Sequence, residues 1–291
     1  MFRSLILFVV TLIPAVLSAQ KPPVLTGFVP LSESELQSGI IRLFDGISAY
    51  GWKNAEVKNG KLTYTAAIRP DSLEDSPVRF FLPRNTIINS LLNDITLDNS
   101  KYRPSNAAAI FDGKTLGNWK IIGDVKAAVE DGTILLTGGS GSLESAGIYG
   151  DFVLQLEYKT DKPVNSGVFF RCIPGEKMNG YECQIFNHPP DADYEKYIGT
   201  DTGGLFRRQI GRNAGAKDGV WNYLTVAARG NEFASWVNGL QVMDFKDERK
   251  ADVNPRKGLR TEPGTIQFQG HDATTEIQFR NIRIALIEKN K

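Results

Sequence analysis

Glu182 is the side chain in this 291-residue sequence best placed to move a proton. It lies in YECQIFN, where alternation puts Glu182, Gln184 and Phe186 on one strand face and Tyr181, Cys183 and Ile185 on the other. A carboxylate beside a core position can shift its pKa either way: burial raises it and a neighbouring cation lowers it. Arg171, in the preceding segment SGVFFRC, is the cation expected across the hairpin, alongside Gln184. The connection IPGEKMNG has the Pro174, Gly175 and Gly180 of a hairpin loop. If Arg171 pairs with Gln184, Cys172 faces Cys183. The two cysteines are then either a disulfide or two buried thiols.

Further polar residues join this group by the same period of two. In TIQFQGHD, Gln267, Gln269 and His271 share a side, and in EFASWVNG, Trp236 shares one with Asn238. One consistent assembly gathers Gln155, Glu157, Arg171, Glu182, Gln184, Trp236, Gln269 and His271 on a single polar face. Amides and charges read sugar hydroxyls, and a tryptophan offers a flat surface to a sugar ring. The competing expectation is the solvated exterior of a sandwich. Glu157 is the second carboxylate available, and with Glu182 it would permit ordinary glycoside hydrolysis; a salt bridge is its plain structural role. With only His188 and His271 in the chain, a His-rich metal site is excluded. A mixed site of either histidine with Glu182 or Asp193 stays open. No cysteine cluster, phosphate-cradling glycine loop or nucleophile elbow is present.

The elements that must position these residues are strands. DFVLQLEYK alternates, with Phe152, Leu154, Leu156 and Tyr158 on one face and Val153, Gln155, Glu157 and Lys159 on the other. From residue 107 onward nearly every segment reads as strand, broken by turn signals such as Asn238-Gly239, and this spacing predicts a sandwich. Residues 1–19 have Arg3, an apolar run and small residues at their end, the pattern of a cleaved export signal. Export to the periplasm or beyond is therefore expected, with no stable membrane span after cleavage. Residues 20–106 read as a small β-rich extension, with a helix over Glu33 to Gly39 and a polar linker over 93–106. The extension shares a pattern with the main body. RLFDGISAYGWK and AIFDGKTLGNWK each precede a turn and a strand, Asn59-Gly60 before KLTYT and Asp131-Gly132 before TILLT. With 34 basic and 33 acidic residues, the net charge of +1 lacks the footprint of nucleic-acid or anionic-membrane binding. A neutral partner such as a carbohydrate fits better.

The ordered set FDGKTLGNW, YGDFVLQLEY, NSGVFFR, GYECQIFN, WNYLTVAARGNEFASWVNG, IQFQGHD and FRNIRI, over about residues 107–288, resembles the 3-keto-disaccharide hydrolase family. The resemblance implies an all-β, concanavalin A-like β-sandwich (jelly roll). It also implies cleavage of glycosides oxidised at C3, through proton removal at C2, elimination and rehydration. Matching positions imply Glu182 or His271 as base or acid, with Arg171 and Gln184 orienting the keto sugar. Asn165 and Asp272 are further contacts, and a divalent metal could supply an electrophile. The segment 197–219 departs from simpler members and adds Arg207, Arg208 and Arg212, read as a solvated loop in preference to a contact for an acidic or larger glycan. A non-catalytic lectin-like module and a conventional glycosidase using Glu182 and Glu157 are the alternatives.

Overall fold

Alternating segments from residue 119 onward form twelve strands in two stacked antiparallel sheets. The structure is a computed structural model that describes residues 27–64, 76–81, 95–96, 100–187 and 201–287. The strands are β1 (Trp119–Gly123), β2 (Lys126–Glu130), β3 (Thr133–Thr137), β4 (Gly141–Ser145), β5 (Phe152–Lys159) and β6 (Ser166–Cys172), followed by β7 (Tyr181–Ile185), β8 (Asn222–Arg229), β9 (Glu232–Val237), β10 (Leu240–Lys246), β11 (Thr265–Gly270) and β12 (Glu276–Leu286). The smaller sheet has the order β7-β6-β11-β4-β1. The larger runs β10-β9-β8-β5-β12-β3-β2, with the short strand Ala108–Ala109 added against β12. The turns Asp131-Gly132 and Asn238-Gly239 have positive φ at both central residues, which suits the twist of a two-residue hairpin.

The core lies between the sheets. Phe152, Leu154, Leu156 and Tyr158 of β5 face it, as expected, and meet Val168, Phe170 and Phe268 of the smaller sheet. Phe268 stacks on Phe279 at 4.4 Å and on Trp119 at 5.1 Å between ring centroids. Each outward residue therefore belongs to one of two opposite exteriors, on the small sheet or on the large one.

The N-terminal segment covers the exterior of the large sheet. It begins with the helix α1 (Glu33–Gln37), capped by Ser32 and Glu35 in a reciprocal box. Ile41 and Phe80 then pack on Val153, Ala227, Ala234, Trp236 and Ala285. Arg212 pairs with Asp45 at 2.8 Å, and Arg79 pairs with Asp244, fastening the segment at its flanks. The repeated FDG motif is a local turn in both copies. Asp45 Oδ1 accepts from the amides of Ile47 and Ser48, and Asp112 Oδ1 accepts from those of Lys114 and Thr115. A hairpin follows each, Ala55–Lys58 with Lys61–Tyr64 and β2 with β3.

Candidate active site

The exterior of the small sheet carries two polar rows. Cross-strand pairing links Lys120 to Glu144, Glu144 to Gln267, Gln267 to Phe169 and Phe169 to Glu182, a line across all five strands. Beside it, Ser142 pairs with Gln269 and Gly167 with Gln184. Leu143, Val168, Phe268 and Cys183 alternate with these residues and point inward.

Glu182 is 5% exposed, and its neighbours explain why it can lie so deep. A Cβ on Gly167 would sit 3.0 Å from both Cγ and Oε1 of Glu182, so glycine leaves the space the carboxylate occupies. Burial pushes the Glu182 pKa up to about 7, while Arg256 pulls against that rise. Arg256 donates to Oε2 from Nη1 at 3.3 Å and from Nη2 at 3.2 Å. Its guanidinium lies over the rings of Phe169 at 4.9 Å and Phe206 at 5.7 Å. Arg256 is half-buried, so the cation at this acid reaches the surface.

A chain of hydrogen bonds holds Arg256 in place. Its Nη2 also donates to the Met178 carbonyl at 3.2 Å. The Met178 amide donates to Gln267 Oε1 at 2.9 Å, and Gln267 Nε2 donates to Glu144 Oε1 at 3.0 Å. Glu144 is anchored in turn by the Thr265 hydroxyl at 2.7 Å and the Gly175 amide at 3.0 Å. The row across the sheet thus fixes the hairpin loop, and the loop fixes the arginine.

His271 follows β11 and is exposed. Its Nδ1 lies 2.8 Å from Asp272 Oδ2, which leaves Nε2 free of that contact. Hydrogen bonds from Thr274, and then from His271, hold the Asp272 pKa down to about 2, so Asp272 stays ionised. The charge of a protonated His271 reaches Glu182 and favours its ionised form. Gln184 donates to Asn165 Oδ1 at 2.7 Å. The buried acceptors Gln184 Oε1 and Gln269 Oε1 have no partner among the described residues. No group of three His, Cys, Asp or Glu side chains suited to a metal gathers among the described residues.

The structure thus brings together Glu182, Gln184, Asn165, Gln269, His271 and Asp272, and it moves the other expected residues elsewhere. Arg171 does not reach Glu182. A register shift between Phe169 and Cys172 and a φ of 50° at Arg171 break the alternation there. The Arg171 side chain turns into the protein, pairs with Asp151 at 2.8 Å and donates to the carbonyls of Gly230 and Arg260. Trp236 is no sugar platform. It is fully buried on the opposite exterior, edge-on to Phe80, with Nε1 donating to the Arg42 carbonyl. Gln155 and Glu157 lie on that same far side, where Glu157 is held by Arg280 at 2.8 Å and Asn281 at 2.6 Å. Sheets about 10 Å apart separate Glu157 from Glu182, so the two cannot flank one glycosidic bond.

The cysteines are free and buried. Cys183 faces Val168 while Cys172 pairs with Thr265, so the assumed register, and a disulfide with it, does not form. The arginines of 197–219 are only partly a solvated loop: Arg207 is exposed, but Arg212 is buried against Asp45 and Arg208 donates to the Arg256 carbonyl at 2.9 Å. His188 and Asp193 lie outside the described residues. Sequence reasoning missed Arg256 and Phe206, which sit in aperiodic segments. Gln267 was visible by its alternation with Gln269, but nothing in that pattern marks it as a support.

Comparison with known proteins places this geometry in context. Residues 106–285 match a family described as the 3-keto-alpha-glucoside-1,2-lyase-like domain. A 3-keto-disaccharide hydrolase of Bacteroides thetaiotaomicron is 24% identical over an alignment of 227 positions that covers 62% of this chain and 78% of that one. A crystal structure from Parabacteroides distasonis, provisionally named a glycosyl hydrolase, aligns with a TM-score of 0.52 and 24% identity, covering 62% of this chain and 94% of that one. A second from that organism, of the same provisional name, gives 0.50 and 23%, over 65% and 86%. At such identities the two structures speak for the fold alone, and it is the expected concanavalin A-like sandwich.

Proposed function

This chain belongs to the 3-keto-alpha-glucoside-1,2-lyase-like family, and from that premise we propose that it is an enzyme cleaving glycosides whose sugar carries a ketone at C3. The observation that carries the reading is Glu182, buried, with a pKa of about 7 and a guanidinium on its carboxylate. Such a carboxylate is an effective base at neutral pH, because its conjugate acid is weak enough to hold a proton and strong enough to release it.

The reaction follows from the ketone. Glu182 takes the proton from C2, and the electron pair moves onto the C3 oxygen as an enolate. Arg256 stabilises that negative charge where it develops. Return of the pair forms the C1–C2 double bond and breaks the bond from C1 to the glycosidic oxygen. His271, oriented through Nδ1 by Asp272, gives the leaving oxygen its proton from Nε2. Water then adds at C1 and a proton returns to C2, for net hydrolysis. Gln184, Asn165 and Gln269 supply amide groups to the sugar hydroxyls. Arg256 takes the part of electrophile that the sequence reading left to Arg171 or a divalent ion.

The test is turnover in deuterium oxide of paired glycosides, oxidised and unoxidised at C3. Cleavage of the oxidised substrate alone, with deuterium at C2 of the product, is expected. Cleavage of both members without label at C2 would overturn the elimination route, and binding without turnover would return the lectin-like reading. Export is also our inference, supported by the charge and apolar run of residues 1–19. A secreted product beginning at Gln20 is the expected mass-spectrometric result.

A further inference from the structure

A pocket lies on the opposite side of the sandwich from Glu182, where the N-terminal segment meets β12. Its volume is about 360 Å³, enough for a monosaccharide. Two other cavities, one beneath Gly39 and one beside Asn187, have room for about one water each at 20 and 30 Å³. Ser38, Arg103, Ser105, Asn106, Gln155 and Arg283 line the large pocket.

Its charge is what singles it out. Burial, and then the charge of Arg103, press the Arg283 guanidinium toward its neutral form, and the charge of Glu157 opposes them only in part. Neither has a carboxylate partner among the described residues. Glu157, whose charge reaches Arg283, is held by Arg280 and Asn281, and Glu35 is held by Lys101 at 2.6 Å. Arg283 Nη2 donates only to the Gln37 carbonyl at 3.1 Å, and its buried Nε has no partner. Gln155 is fixed beside it, donating to the Gly39 carbonyl at 3.0 Å and to Thr225 at 3.1 Å. The backbone at Gly39 approaches so closely that a Cβ there would lie 2.5 Å from Arg283 Nη2.

We propose that this pocket binds an oxyanion carried by a sugar, a uronate carboxylate read by Arg103 and Arg283, with hydroxyls meeting Ser38 and Ser105. Two guanidiniums with no carboxylate in direct contact among the described residues gain the most from a planar anion that accepts from both. The match to the family begins at residue 106, so Arg103 lies in the extension and Arg283 in the family domain. The site exists only because the two are packed together, and it does not depend on the reaction assigned to Glu182.

Calorimetric titration of the whole protein at low salt tests it, with glucuronate, inorganic sulfate and glucose as probes. Saturable binding of glucuronate is expected, at least ten-fold weaker in Arg103→Ala and in Arg283→Gln, with no saturation by glucose. Glucuronate binding tighter than sulfate supports the sugar-borne anion. Sulfate binding as tightly overturns the uronate in favour of a free-oxyanion site. Failure of both anions to saturate, or binding unchanged by the substitutions, overturns the site altogether. Arg103 is exposed, so its variant decides the matter if Arg283→Gln does not fold.

Discussion

Replacing Glu182 with glutamine should abolish turnover and, at alkaline pH, make the protein more stable. The folded-state pKa of Glu182 is about 7, against an ordinary value of 4.5. The sign follows from that direction. Below pH 4.5 the group is protonated in both states and imposes no penalty. As pH rises from 4.5 toward 7, the unfolded chain ionises freely while the folded one resists, so stability falls. At about 1.4 kcal/mol per pH unit, the penalty reaches about 3 kcal/mol above pH 7. That corresponds to roughly 6–12 °C in Tm for a domain of this size. Glutamine keeps the shape and lacks the charge, and Arg256, half-buried, retains the Met178 carbonyl. Thermal unfolding at pH 5 and pH 8 for both proteins is the assay. The wild type should lose about 2–3 kcal/mol more than Glu182→Gln over that span, since a small part of the penalty is already present at pH 5. Parallel curves, or a variant less stable at pH 8, would refute the claim that burial dominates at this carboxylate.

Other perturbations have expected outcomes of the same kind. Arg256→Ala should lower kcat by about 10²–10³, the cost of losing a group that stabilises developing charge. It should also move the acidic limb of the pH–rate profile upward, because Arg256 holds the Glu182 pKa down. Gln267→Ala leaves the Met178 amide and Glu144 short of a partner. Urea denaturation should show a loss of about 1–3 kcal/mol, and kcat should fall more than KM changes as Arg256 loses its support. Trp236→Ala should cost about 3–5 kcal/mol of stability through the cavity it leaves, with KM unchanged. A rise in KM without destabilisation would restore Trp236 to the site.

Alternation along the sequence determined which residues of each strand face the core, and β5 and β7 follow it residue by residue. It therefore found Glu182, Gln184 and Gln269, and the hairpin signals at Asp131-Gly132 and Asn238-Gly239 found their turns. A period of two separates inside from outside, but a sandwich has two outsides, and strand order decides which one a residue joins. Only the tertiary structure could send Trp236 and Glu157 to the far exterior, beneath or beside the N-terminal segment. Arg171 was lost to a local register shift, which no average pattern records. Arg256 sits in a connection with no periodicity, and long-range packing alone carries it to Glu182. Strand faces are legible because they repeat a local steric rule; the pairing of distant charges is not, because it depends on how the whole chain closes.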